Sequence, residues 1–283
     1  MNRARRRFLK GLASIAATGA VTAIVPARPA LAYAAGRDVG APAGTGPRLV
    51  IVNADDLGMA EEVDAGIFEA HDRGIVSSAS LMVQGPHAAA AVAGARARPR
   101  LSVGLHVILS DRGRWLVNAR DRRAVRRELN RQLEAFVALA GRLPTHLDSH
   151  HHTHRLFNVS RLFLEAGDRY GIPVRGLSDV QFLGSFYGQP QWGQTDLSRI
   201  SVEAMVELLR SVEPGTTEIS CHPGHPQRAT DADYNTEREV ELRALVDGRL
   251  KAVIDEEGLT LISFAAYRPA PVAGRDDARC GRP

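Results

Sequence analysis

From residue 48 onward, short apolar runs alternate with helical patterns, and this alternation limits the possible folds more than any other feature. Strand-like runs occupy residues 48–53, 75–83, 101–105, 145–149, 172–175, 217–221 and 259–263. Between them, Val63, Ile67, Ala70 and His71 recur at helical spacing, with Gly74 expected to close that helix. Further helices are expected over residues 86–98, 121–141, 157–170, 201–212 and 236–257. Strands separated by helices imply a parallel α/β sheet, and about seven repeats over about 220 residues point to a closed or nearly closed barrel. Residues 179–199 are long for a connection and carry Phe182, Phe186, Tyr187 and Trp192, which gives either a substrate lid or a packed surface loop.

The polar clusters fall at the C-terminal ends of these strands: Asp55 and Asp56, His106, the stretch 145–154, Arg175, and His222. Parallel barrels hold their active sites at that end, whereas a random scatter would decorate both ends. The densest cluster reads T-H-L-D-S-H-H-H-T-H and holds five of the ten histidines: His146, His150, His151, His152 and His154, with Asp148 among them. Each imidazole has two nitrogens that need partners, so a core absorbs such a run poorly, and a metal site is the simplest use for it. A tract that scavenges metal without catalysis is the competing reading.

Asp55 and Asp56 end a buried strand side by side, so one can bind a metal while its neighbour serves as base. Capping of the next helix is the simpler use of either one. His106 alone reads as a satisfied core histidine, and His222 and His225 as turn residues. Together, one Asp and two His ligands with open positions form a hydrolytic metal centre. His150 and His154 share a face if the tract starts a helix, which leaves the second ligand open.

The formal charge of +4 misleads. Residues 1–32 hold six basic side chains and no acid, and the remainder has 30 basic and 32 acidic residues, a net of −2. Nucleic acid is therefore not an expected partner. Arg5-Arg6-Arg7-Phe8-Leu9-Lys10 fits a twin-arginine export signal, followed by an apolar run of about 15 residues and the small-x-small site Ala30-Leu31-Ala32. That run is short for a bilayer span. The expected organisation is a signal peptide over 1–32, a Gly/Pro-rich linker over 33–47, a barrel domain over 48–267 and a flexible tail over 268–283, in an exported protein with no membrane span after cleavage. Cys221 reads as a buried core residue, and Cys280 lies in the tail.

The motifs Val52-Asn-Ala-Asp-Asp-Leu-Gly58, Gly104-Leu-His106, Thr145-His-Leu-Asp-Ser-His-His-His152 and Cys221-His-Pro223 resemble those of the YdjC-like carbohydrate deacetylases, in the expected order and over residues 48 to about 267. The resemblance implies a distorted TIM-like (β/α) barrel, a divalent metal (magnesium, with zinc as the other choice) and hydrolysis of N-acetyl groups on amino sugars. It implies Asp56, His106 and His150 as metal ligands, Asp55 as general base, His222 as the acid that protonates the leaving amine, and Arg175 as the group that keeps Asp55 ionised. Leu57 stands where phenylalanine is usual, an apolar exchange. The export signal departs from the cytoplasmic relatives and leaves the substrate open between a chitin oligosaccharide and a glycolipid. Two other functions compete: a metal-dependent hydrolase of another ester, amide or phosphoester, and a metal- or glycan-binding protein without catalysis. The chain is compatible with a homo-oligomer.

Overall fold

A computed structural model describes residues 46–191, 193–227 and 234–269. The expected signal peptide, nearly all of the linker, Trp192, and the tail from residue 270 with Cys280 lie outside the described residues.

The fold is a curled parallel sheet wrapped in helices. Its strands are β1 (Arg48–Leu57), β2 (Ser78–Leu81), β3 (Ser102–Val107), β6 (Leu147–Ser149), β7 (Gln181–Leu183), β8 (Gly215–Cys221) and β9 (Thr260–Leu261). A separate antiparallel ribbon, β4 (Ser110–Asp111) and β5 (Arg114–Trp115), follows β3. The main sheet runs β6-β3-β2-β1-β8-β7, with β9 beside the first half of β1. The sheet is the distorted TIM-like α/β barrel expected, formed as a partial barrel of seven strands.

Side-chain alternation explains how this sheet carries a polar site. Successive residues of a strand point to opposite faces. Val50, Val52 and Ala54 of β1, Val103, Leu105 and Val107 of β3, and Ile219 and Cys221 of β8 belong to the large apolar core. That core includes Val63 and Ile67 of helix Glu61–Asp72, Leu129, Leu133 and Phe136 of helix Arg122–Ala140, and Leu162 and Phe163 of helix Phe157–Tyr170. Residues of the opposite parity line the barrel: Asn53, Asp55, Ser80, His106, Asp148 and Glu218, all buried and joined by hydrogen bonds or ion pairs. A small second cluster, Ile51, Val180, Phe264 and Tyr267, is apolar.

The sequence-based boundaries fail in five places, each for a physical reason. β1 runs on to Leu57 and carries both aspartates within it, with a register irregularity against β2 between Ala54 and Leu57. Residues 172–175 form one bridge, Val174 with Leu147, instead of a strand. The long connection supplies β7 in its place, so part of the expected loop completes the sheet. The helix expected over 236–257 is two, Asn235–Leu245 and Gly248–Glu256, because the Asp247 side chain caps the second through the Arg249 N–H at 2.9 Å. Gly74 is not a left-handed cap: Arg73 caps that helix in right-handed conformation, and a Cβ on Gly74 would lie 2.2 Å from the Leu245 carbonyl oxygen.

Close backbone approach also fixes Gly66. A Cβ there would stand 2.4 Å from Gly224 Cα, just past His222. Gly66→Ala should therefore lower stability by about 1–3 kcal/mol despite the better helix propensity of alanine. Thermal unfolding of the variant checks this, and an unchanged or raised midpoint would show that the contact yields freely.

Candidate metal centre

The end of β1 makes the site possible. Asp56 has a left-handed backbone, φ 70°, where the register with β2 slips. Such backbone is costly for a non-glycine residue and concentrates at functional sites. Asp55 consequently faces the barrel interior and Asp56 faces β3 and the histidine tract. Neither caps the following helix, whose N-cap is Ala60 with no side-chain bond.

Asp56 Oδ1 lies 3.3 Å from His106 Nε2 and 3.2 Å from His150 Nδ1. The three ligand atoms all lie within 4.8 Å of one another. Asp56 Oδ1 is buried, yet it has no hydrogen-bond partner. Donor atoms about 2.0–2.2 Å from one ion stand roughly 3 Å apart, so this spacing and this orphaned oxygen fit a bound cation. The other oxygen, Oδ2, accepts a bond from Arg238 at 2.6 Å. Burial alone would raise the Asp56 carboxyl; Arg238, with His106 and His150, holds it well below the ordinary carboxylate range.

His106 is aimed by its other nitrogen. Its Nδ1 stands 2.8 Å from Asp148 Oδ1 and 3.2 Å from Ser80 Oγ. Asp148 is held strongly acidic against its burial, chiefly by Arg175, so Nδ1 carries the proton and Nε2 presents its lone pair to the cation position. Without a cation, burial opposes charging of His106, but Asp148 and Asp55 outweigh it and push the imidazole up to about 10.

Arg175 is fully enclosed and grips Asp55 with two bonds of 2.6 Å. It also lies 2.9 Å from Asp148 Oδ2 and 2.8 Å from Glu218 Oε1. Burial would raise Asp55, but Arg175 outweighs it and the carboxyl is held down to about 2. A second convergent trio, Asp55, His106 and Asp148, already has Arg175 as its counter-charge.

His222 closes the far side, with Nε2 3.8 Å from Asp55 Oδ2. Its backbone N–H donates to Glu241, which also accepts from the Tyr234 hydroxyl. The rings of Tyr187 and Tyr234 stack at 4.8 Å, and both meet His222 edge-on. Burial pushes the His222 imidazole down to about 4.

The other histidines have separate fates. His154 bonds Ser149 Oγ at 2.7 Å and the Arg175 carbonyl at 3.1 Å, so both nitrogens are used and the alternative ligand is excluded. The reason is that the tract does not start a regular helix: His151 and His152 have left-handed backbone, φ 57° and 50°, which turns His154 away from His150. His146 packs under Phe264, and Gly104 makes room for its ring. His151 bonds Ser110 Oγ, and its ring lies tilted against His150. His225 lies 3.2 Å from Glu69, remote from the trio. Of the described aromatic residues in the connection, Phe182 and Phe186 are buried, and Tyr187 reaches His222.

Arg238, Glu241 and Tyr234 escaped the sequence reading because a charged helix usually lies in water. The usable signal was their spacing, since 234, 238 and 241 fall on one helical face.

Comparison with known proteins settles the lineage. The YdjC-like protein family matches residues 49–256. The chain belongs to the YdjC-like family. A carbohydrate deacetylase from Geobacillus stearothermophilus is 33% identical over 252 residues, 78% of this chain and 98% of that protein. A chitooligosaccharide deacetylase from Serratia marcescens is 32% identical over 256 residues, 77% and 98% of the two chains. In structure, a putative cellobiose-phosphate cleavage protein from Enterococcus faecalis shares the fold of this YdjC-like chain at TM-score 0.66 and 24% identity, covering 78% of this chain and 98% of its own.

Two substitutions test the electrostatics of this YdjC-like site. Arg175→Met leaves buried carboxylates unpaired and should cost about 3–5 kcal/mol in urea unfolding. Arg238→Met frees the Asp56 carboxylate and should weaken zinc affinity about 10–100-fold by calorimetric titration, with the circular dichroism spectrum unchanged. Unaltered affinity would remove Arg238 from the centre.

Proposed function

We propose that this chain is a metal-dependent hydrolase that removes N-acetyl groups from amino sugars. The observation that carries the reading is the convergence of Asp56, His106 and His150 beside an Asp55 carboxylate locked onto Arg175. The names of the curated relatives, carbohydrate deacetylase and chitooligosaccharide deacetylase, supply the substrate class.

Asp56, His106 and His150 would hold the metal. A divalent cation bound there lowers the pKa of a water and polarises the acetamide carbonyl. Asp55, ionised at any physiological pH, accepts the proton of the attacking water. Arg175 keeps that carboxylate oriented. His222 is neutral at rest, so the proton it gives to the leaving nitrogen must first reach it from Asp55; the 3.8 Å between them is longer than a hydrogen bond and calls for a water or a substrate oxygen between the two. Acetate and a free amine result. Two imidazoles among three ligands suit zinc or a first-row relative, whereas magnesium, the ion implied by the family resemblance, takes mostly oxygen ligands. We further propose that the twin-arginine segment exports the chain; sequencing the N-terminus of the exported protein tests this, with cleavage expected after Ala32.

The direct experiment incubates metal-loaded protein with di-N-acetylchitobiose and assays acetate. Release should stop with a chelator and return with zinc or magnesium, and whichever ion restores the higher rate identifies the metal. Asp55→Asn should lose about 10²–10⁴-fold in rate while still binding metal. A wild-type protein that holds its metal but releases no acetate from any N-acetyl sugar would overturn the assignment.

A further inference from the structure

The long connection after Arg175 passes beside His222, and one of its side chains is only half used there. Phe186 is fully buried in the apolar core, whereas the next residue, Tyr187, is 36% exposed. The Tyr187 ring stacks on Tyr234 with an interplanar angle of 6° and meets His222 edge-on, with centroids 5.3 Å apart. His222 Nε2 in turn stands 3.8 Å from Asp55. Tyr187 therefore borders the side of the centre where the candidate base and acid face each other.

The backbone that carries Tyr187 is clamped onto helix Asn235–Leu245. The Gly188 N–H donates to the Tyr234 hydroxyl at 2.5 Å, and that hydroxyl donates to Glu241 at 2.6 Å. Glu237, on the same helix, accepts from the side chains of Gln189, at 2.9 Å, and Thr195. The Asp196 N–H closes the segment on the Gly188 carbonyl at 2.7 Å. A Cβ on Gly188 would lie 2.8 Å from Glu237 Cγ and from Ile200 Cδ1, so the chain presses directly on its support. Glu241 also accepts from the His222 backbone N–H, so one carboxyl group fixes both His222 and, through Tyr234, the residue after Tyr187. Of the two expectations for this connection, lid or packed loop, these bonds describe a fixed wall.

Packing alone does not call for a tyrosine at 187. Tyr234 uses its hydroxyl twice, as acceptor and as donor. The Tyr187 hydroxyl has no hydrogen-bond partner among the described residues, and phenylalanine would stack on Tyr234 equally well. Burial, with the carboxylates of Asp56 and Glu241, pushes the Tyr187 phenol up to about 12, so it keeps its proton and remains a donor. A rigid aromatic ring with few torsions loses little entropy on contact, and it offers an apolar edge together with a polar tip. A sugar, with its apolar C–H faces and its ring of hydroxyls, matches both features.

We propose that Tyr187 is a substrate-contacting residue that receives the amino sugar on the His222 side of the centre, its hydroxyl donating to a sugar oxygen, and that Tyr234 is the positioning residue that aims it. The proposal rests on the deacetylase reading and assigns that reading a specificity-determining residue.

Two readouts separate binding from turnover. In zinc-loaded Asp55→Asn protein, calorimetry gives the affinity for di-N-acetylchitobiose. In protein with Asp55 intact, acetate release from the same sugar gives KM and kcat. Tyr187→Phe should weaken binding and raise KM by about 2–10-fold, the loss of one neutral hydrogen bond, with the larger part of the effect in KM. Tyr187→Ala, which also removes the ring, should weaken both by about tenfold or more. Zinc affinity should stay at the wild-type value in both variants. Tyr234→Phe keeps the stacked ring but releases Gly188; it should raise KM when Tyr187 is present and add little once Tyr187→Phe has been made. Unchanged KM and affinity in both Tyr187 variants would overturn the proposal, and so would a loss confined to kcat or a matching loss of zinc affinity. Full additivity of the two phenylalanine changes would remove the positioning role of Tyr234. Failure of zinc-loaded wild-type protein to release acetate would strike the deacetylase reading itself. The calorimetric comparison would then still decide whether Tyr187 holds the sugar, and no sugar binding there would overturn the proposal as well.

Discussion

One guanidinium organises the interior of this protein. Arg175 touches Asp55 from β1, Asp148 from β6 and Glu218 from β8, and all four side chains are buried. A buried ion pair generally gains little stability over a well-packed apolar replacement, because desolvation offsets attraction. What Arg175 contributes here is placement. It leaves the main chain at the bridge between Val174 and Leu147, beyond the β6 edge, and reaches Glu218 on the opposite arm of the sheet. The curled sheet is thus tied across its opening by charge where the backbone ladder is incomplete.

The acids outnumber their cations, and that imbalance gives the site its chemistry. Asp55, Asp56, Asp148, Glu218 and Glu241 are buried against two arginines, Arg175 and Arg238. Some carboxylates are pushed toward neutrality by burial. Burial pushes Glu218 up to about 7 and Glu241 up to about 8. The three aspartates remain ionised, and in the absence of metal a proton on His106 supplies the missing positive charge. A divalent cation held by Asp56, His106 and His150 would supply that positive charge instead, at Nε2, the nitrogen that faces Asp56 Oδ1. Electrostatic need and ligand geometry therefore meet at the same atoms.

The sequence made most of this visible because the site follows the strand ends. Asp55, Asp56, His106, His150 and His222 each close a strand or stand at its exit, and the structure gathers them where the barrel pattern places them. The less legible parts depended on tertiary context. Residues 172–175 read as a strand because Ile172 and Val174 are β-branched, yet the chain bends at once toward Phe182, which packs against Arg175. Arg238 and Glu241 looked like solvated helix charges until the turn after β8 brought that helix over Asp56 and His222. His154 looked like an alternative to His150, but two left-handed residues separate them, and alternation sends His146 under Phe264.

The polar lining also explains why a barrel this small can hold a site among its strands. TIM-like barrels ordinarily fill the interior with layers of branched apolar side chains. Here Ser80, Asn53 and Ser220 occupy inward positions on three strands, and Gly104 leaves space that the His146 ring fills. Small side chains keep the interior narrow enough for Arg175 to reach three strands and still pack closely. Each small residue is therefore a constraint on volume as much as on polarity. Enlarging one would displace the chain of hydrogen bonds and ion pairs that runs from Asn53 through Asp55 and Arg175 to Asp148 and His106. The candidate ligand His106 is oriented at the end of that chain, so the geometry of the trio at the rim depends on packing several residues below it.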